Sequence, residues 1–185
     1  KQLNGDYVQA QYVQILLKKG LKTSELVQVL ETAGSTINSD YYLCNTLKNN
    51  HTLFLKDKTT VNAYKNAAKN IGSDYYLSAL LNKITKASSV SDDNFLSLLS
   101  VSENITSDYY LSGVLIKVID HKTMTPRLFN SVLNLTDEVS SDYYSAGVFK
   151  KLAKEGPLNE SQLVAILNRV TKNISSDYYL SDTLL

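Results

Sequence analysis

The chain has 185 residues, 19 Lys and Arg against 18 Asp and Glu, and a single cysteine. A net charge of +1 argues against a dedicated nucleic-acid binder or a polybasic membrane surface, and one cysteine excludes an internal disulfide framework. No stretch approaches the roughly 18 apolar residues of a membrane span, so this segment is expected not to insert into a bilayer.

Taken from the start, Lys1 is followed by no signal-type apolar run, and the chain is expected to be a mature or excised piece. A worn motif, Gly5-Asp6-Tyr7-Val8, comes first. Five Ser-Asp-Tyr-Tyr copies follow, with their Asp at Asp40, Asp74, Asp108, Asp142 and Asp177, so that the steps are 34, 34, 34, 34 and 35 residues. A fixed period in this range signals a stack of supersecondary units. The sequence therefore predicts an all-α, right-handed α-solenoid of five helix-turn-helix repeats plus a C-terminal half repeat, in a single repeat domain over 1–185. At about 8–10 Å per helix contact, five units would extend for on the order of 50 Å.

Each unit reads as two helices. The first begins at the motif, with Ser39, Ser73, Ser107, Ser141 and Ser176 as expected side-chain N-caps. The following Asp then sits in the first turn, where the helix dipole favours negative charge. Apolar residues recur at helical spacing, as in Leu77, Leu80, Leu81 and Ile84, or Leu111, Val114, Leu115 and Val118. The residue four places after each motif Asp is always small: Ala10, Cys44, Ser78, Ser112, Ala146 and Ser181. The second helix opens 17 residues after each Asp on a cap-type residue: Thr23, Asp57, Ser91, Thr125 or Asn159. Pro126 follows Thr125 at a position where proline is tolerated. An aliphatic residue closes each unit: Ile37, Ile71, Ile105, Val139 and Ile174. The fifth unit carries one extra residue in its second half, and the half unit from Asp177 to Leu185 is expected to cap the array.

Ten of the thirteen tyrosines lie in the five motif copies and an eleventh, Tyr7, in the worn copy. The repeat-motif residues are thus Asp40, Tyr41 and Tyr42; Asp74, Tyr75 and Tyr76; Asp108, Tyr109 and Tyr110; Asp142, Tyr143 and Tyr144; and Asp177, Tyr178 and Tyr179. A residue present in every unit serves the contact every unit makes, so the first reading is structural: the motif is the joint between repeats. The competing reading is an aromatic ladder facing solvent, suited to peptides or glycans. The row of Asp residues does not suggest a metal site, because a metal needs several oxygens in one shell and equivalent Asp residues stand one repeat apart. Cys44 reads as a buried small side chain, and His51 and His121 as loop residues without a metal-site or catalytic context. No phosphate loop, nucleophile elbow or dinucleotide fingerprint occurs. No catalytic residue, metal or cofactor is expected, and the chain is not expected to be an enzyme.

A 34-residue helix-turn-helix period resembles the tetratricopeptide class, although that family's Trp-x-x-Leu-Gly start and closing Pro are absent, so none of its binding residues carry over. Ser107-Asp108-Tyr109-Tyr110-Leu111-Ser112-Gly113-Val114-Leu115 more closely resembles bacterial Ser-Asp-Tyr-x-x-Ser/Ala-x-Val-Leu tandem repeats. Such repeats are similar to those in extracytoplasmic regions of bacterial proteins, including C-terminal extensions of membrane metallopeptidases of the beta-lactam-sensor type. The resemblance implies a helical repeat fold and a periplasmic or secreted location, and no catalytic residues. The functional expectation is a non-enzymatic protein- or peptide-interaction scaffold. The alternative is an extracytoplasmic sensor domain that binds a small ligand or glycan along a tyrosine-lined face.

Overall fold

The computed structural model of the chain describes residues 5–88, 90–154 and 158–184. It is all-helical, with no strand among these residues. It divides into two compact units, Lys1–Asn104 and Ile105–Leu185. The division falls at the end of the third repeat, so three repeats lie in the first unit. Two repeats and the half repeat lie in the second.

In unit 1 the first helices of the repeats are α1 (Asp6–Leu17), α3 (Asp40–Asn49) and α6 (Asp74–Thr85), and they stand side by side. The second helices, α2 (Thr23–Thr36), α5 (Lys58–Ala68) and α7 (Asp92–Leu99), form the other layer. A short helix, α4 (His51–Phe54), fills the turn of the second repeat, and a 3₁₀ segment, Ser100–Asn104, ends the third. The core between the layers comprises Leu30, Leu43, Leu47, Phe54, Leu77, Leu80 and Leu98. Tyr64 is fully buried with them and donates its hydroxyl proton to the Leu47 carbonyl at 3.2 Å. Burial holds its phenol neutral well above the usual range.

The second layer of unit 1 is a close fit of small residues. Gly34 in α2 lies so near α5 that a methyl group there would meet the Ala67 Cα at 2.9 Å. Ala33, Ala67 and Ala68 are buried around it. Only glycine permits this backbone approach, and the area removed from water joins the two helices.

In unit 2 the first layer is α8 (Asp108–His121), α10 (Asp142–Lys154) and α12 (Asp177–Leu184), with α10 in the middle. The other layer holds α9 (Pro126–Leu135), the 3₁₀ turn Thr136–Glu138 and α11 (Glu160–Asn173). Leu111, Val114, Val118, Phe129, Val132, Val148, Phe149 and Ile166 form the core. The second layer here is joined by charge. Asp137 pairs with Arg169 at 2.5 Å and Lys172 at 3.3 Å, and accepts a bond from the Asn173 amide at 2.9 Å. Burial alone would raise the Asp137 carboxyl, but the bonds from Asn173, Lys172 and Arg169 outweigh it and hold the group below its usual range.

The caps of the second helices follow the sequence closely. Asp57 accepts from the Thr59 and Thr60 amides, Ser91 from Asn94, Thr125 from Leu128, and Asn159 from Gln162. Gln162 returns the bond by accepting the Asn159 amide at 3.1 Å, completing a reciprocal cap. Thr23 departs from this pattern. It is the first helical residue, Lys22 takes the cap position, and its amide donates to Glu25 at 2.7 Å. The five closing residues, Ile37, Ile71, Ile105, Val139 and Ile174, are all buried.

One expectation is corrected. The motif serines at Ser39, Ser73 and Ser107 stand at helix starts with extended backbone, but their side chains make no cap bond. The half repeat α12 packs against α10 and α11 with its outer face exposed, and Leu163, Val164 and Leu167 of α11 are exposed as well. Leu185 itself lies outside the described residues. The extra residue of the fifth repeat is accommodated between Asn159 and Ile174, a stretch that the 14-residue α11 spans without a break.

Candidate binding face

The motif Asp residues reach forward by one repeat. Asp40 accepts from the Gly72 amide at 3.0 Å and the Ser73 amide at 2.8 Å. Asp108 repeats this with Ser140 at 3.0 Å and Ser141 at 2.8 Å. Asp142 takes the Ser176 amide at 2.7 Å, the Ser175 amide at 3.2 Å and the Ser175 hydroxyl at 3.0 Å. The worn copy keeps one such bond, from the Asn38 amide to Asp6 at 3.1 Å. Each carboxylate therefore satisfies backbone donors that the next helix start would otherwise leave unpaired. The Ser176 and Ser175 bonds depress the Asp142 carboxyl below its usual range, against a smaller opposing effect of burial. Asp74 opens α6 and Asp177 opens α12, where Asp177 is exposed.

The paired tyrosines divide their roles. The first of each pair is exposed: Tyr41 is 50% exposed, Tyr75 57%, Tyr109 62%, Tyr143 61% and Tyr178 72%, and Tyr7 of the worn copy joins them. The second, Tyr42, Tyr76, Tyr110, Tyr144 or Tyr179, is half-buried. Within a pair the rings meet edge to face, with centroids 5.0–5.1 Å apart. Between repeats the first ring meets the second ring of the following pair. Tyr41 and Tyr76 lie 5.9 Å apart in unit 1, as Tyr109 and Tyr144 at 6.1 Å and Tyr143 and Tyr179 at 6.0 Å do in unit 2. The geometry is the edge-to-face packing that aromatic quadrupoles favour. In each unit the result is a ladder of contacting rings with one tyrosine per repeat turned to solvent.

On unit 2 this ladder borders a groove of about 520 Å³ across α8, α10 and α12. Tyr109, Tyr143 and Tyr178 line it, and Gly113 and Gly147 form part of its wall. Both glycines lie inside helices, five residues after their motif Asp. A methyl group on either would meet nothing within 4 Å. A helix-interior glycine costs about 0.8–1 kcal/mol relative to alanine. Nothing in unit 2 requires these two, unlike Gly34. The groove also carries Lys150 and Asp182, which form a 2.7 Å salt bridge and cancel each other's charge.

The remaining polar candidates contribute no chemistry to this face. Cys44 is fully buried and its thiol donates to the Tyr76 carbonyl at 3.2 Å. Burial pushes the thiol up, opposed by Lys48 and aided by Asp40, so it is held as a neutral side chain. His51 sits at the start of α4 with Nδ1 2.8 Å from the Lys48 carbonyl, and His121 ends α8. Among the described residues no group of three or more His, Cys, Asp or Glu could hold a metal ion, and no helix is long and apolar enough to cross a membrane.

Sequence reasoning located the motif residues but not Gly113, Gly147, Lys150 and Asp182. The available signal was Gly113 and Gly147 in the same register of adjacent repeats, inside helices where glycine is disfavoured. No family model, no curated protein and no solved structure matches the chain.

Proposed function

We propose that this chain is a non-enzymatic interaction module that holds an extended peptide segment of a protein partner on its tyrosine-bearing face. One observation carries the reading: the first tyrosine of each motif is at least half exposed, yet its ring is held by neighbouring rings. Tyrosine gives a large contact area with a polar tip, and a ring already fixed loses little freedom on binding. The likeness of the motif to extracytoplasmic bacterial repeats supports placing the module in the exported part of a larger bacterial protein. No nucleic-acid partner is proposed, since the chain's charges nearly cancel.

A peptide library displayed on phage tests this against wild type and a Tyr109→Ala/Tyr143→Ala/Tyr178→Ala variant. Enrichment on wild type and its loss on a variant that still melts cooperatively is the expected outcome. Enrichment on both alike would remove the tyrosine face from the function. The second reading, a sensor for a small ligand or glycan, draws support from the groove, whose volume lies in the range of small-molecule sites. A glycan array probed with the same two proteins separates the two readings.

A further inference from the structure

We infer that the groove on α8, α10 and α12 takes a proline-rich segment in the polyproline II conformation; this rests on the peptide-binding reading and specifies its ligand. The argument is one of spacing. Neighbouring helices pack about 8–10 Å apart, so a row with one exposed tyrosine per helix repeats at about that distance. Centroid steps of 6.1 and 5.0 Å along the ladder from Tyr109 to Tyr143 bound their separation from above by their sum. A polyproline II chain rises about 3.1 Å per residue with three residues per turn, and so presents the same side every 9 Å or so. A ligand with proline at every third position thus offers one ring to each of Tyr109, Tyr143 and Tyr178.

Other peptide conformations fit less well. A β-strand repeats each face after about 6.6 Å and gains its affinity by pairing with an open sheet edge. Among the described residues there is no strand to supply such an edge. An α-helix is about 10–12 Å across and needs a broad apolar trough. The exposed row has one tyrosine per helix, backed by the half-buried Tyr144 and Tyr179, and is flanked by the Lys150–Asp182 pair. Polyproline II has no internal hydrogen bonds and needs no backbone partner, and it is ordered before binding. The charge of the groove agrees: its one cation and one anion neutralise each other, which suits an uncharged chain. Gly113 and Gly147 lie one helical turn beyond Tyr109 and Tyr143 on the same helix faces, and the open space in front of them leaves room beside the row of rings for a pyrrolidine ring.

Isothermal titration with an end-blocked peptide of four Pro-Pro-Ser triplets tests the inference. A Gly-Ser peptide of equal length and a β-1,4-linked glucose tetramer serve as the other probes. Saturable binding of the proline peptide, with Kd below 1 mM and no binding of the Gly-Ser peptide, is expected. Tyr143→Ala and Gly147→Leu should each weaken it at least tenfold. Gly147→Leu fills the groove with a good helix former, so its melting temperature should not fall and lost binding cannot be ascribed to unfolding. Equal binding to both variants, or no binding of the proline peptide, overturns the inference. In the second case, tyrosine-dependent enrichment of non-proline peptides from the phage library would leave the broader reading standing. Tyrosine-dependent binding of the glucose tetramer alone would overturn both in favour of a saccharide.

Discussion

Units 1 and 2 use the same joint in their first layer and different forces in their second. In unit 1 the second helices meet through Gly34 and Ala67 at backbone distance. In unit 2 the corresponding layer is tied by Asp137 to Arg169, Lys172 and Asn173. The glycines follow the same division. Gly34 is glycine because a neighbour forbids a side chain, whereas Gly113 and Gly147 are glycine with open space in front of them. The contrast teaches that the motif fixes the pitch of the repeat and leaves each interface free to use whatever side chains face it.

The comparison can be broken most sharply at Gly34. Gly34→Val should cost about 1–3 kcal/mol by overpacking, because the obstructing atom is the Ala67 backbone and cannot rotate away. Hydrogen exchange should show the loss in amides of α2 and α5 first. If the loss appears evenly along the chain, or not at all, the close fit is not what holds this layer.

Acid should act next, and chiefly on unit 2. Asp137 and Asp142 titrate lower in the fold than the ordinary value of 3.8, so the folded chain binds fewer protons than the unfolded one as pH falls through that value. Their contribution is complete above about pH 5 and lost progressively as pH drops through 3.8 toward their folded values. In unit 1 the Thr59 and Thr60 amides lower Asp57 in the same direction. The expected result is a melting temperature that falls below pH 4, with Asp137→Asn flattening the fall. High salt should weaken the Asp137 pairs, which are partly exposed, and leave the Gly34 contact unchanged.

The smallest expected effect has the opposite sign. Gly147→Ala should raise stability by about 0.5–1 kcal/mol, because the added methyl meets nothing and alanine is the better helix former. Differential scanning calorimetry would detect it, and a decrease in melting temperature would show that this glycine is structural after all.

Much of the fold was legible because it rests on local rules. The period, the apolar stripes, four of the five second-helix caps and the buried closing residues follow from spacing and side-chain chemistry within each repeat. The caps of the first helices depart from the local rule that Ser39 and Ser73 fit: their hydroxyls make no cap bond, and at the helix start that Ser73 opens a carboxylate from the preceding repeat holds the amides of Ser73 and Gly72 instead. Gly72 and Ser73 receive their acceptor from Asp40, 32 and 33 residues earlier. Local patterns carry no information about such a partner. The sequence places one tyrosine of each pair at the joint without saying which; the second of each pair is half-buried and the first is exposed. Adjacent identical residues on a helix point about 100° apart, and which one is covered depends on the neighbouring repeat. The groove was invisible for the same reason, since it is made by three helices that no single repeat contains.

The forward reach of the motif carboxylates gives the array a direction. Asp40, Asp108 and Asp142 each precede in the chain, by about one repeat, the amides they hold. Translation runs from the same end, so each emerging helix start meets an acceptor already in place. The acceptor is only about one repeat back, a short loop to close and a small entropic cost. Such a chain can fold as it leaves the ribosome, one repeat templating the next, with little need to wait for its C-terminus.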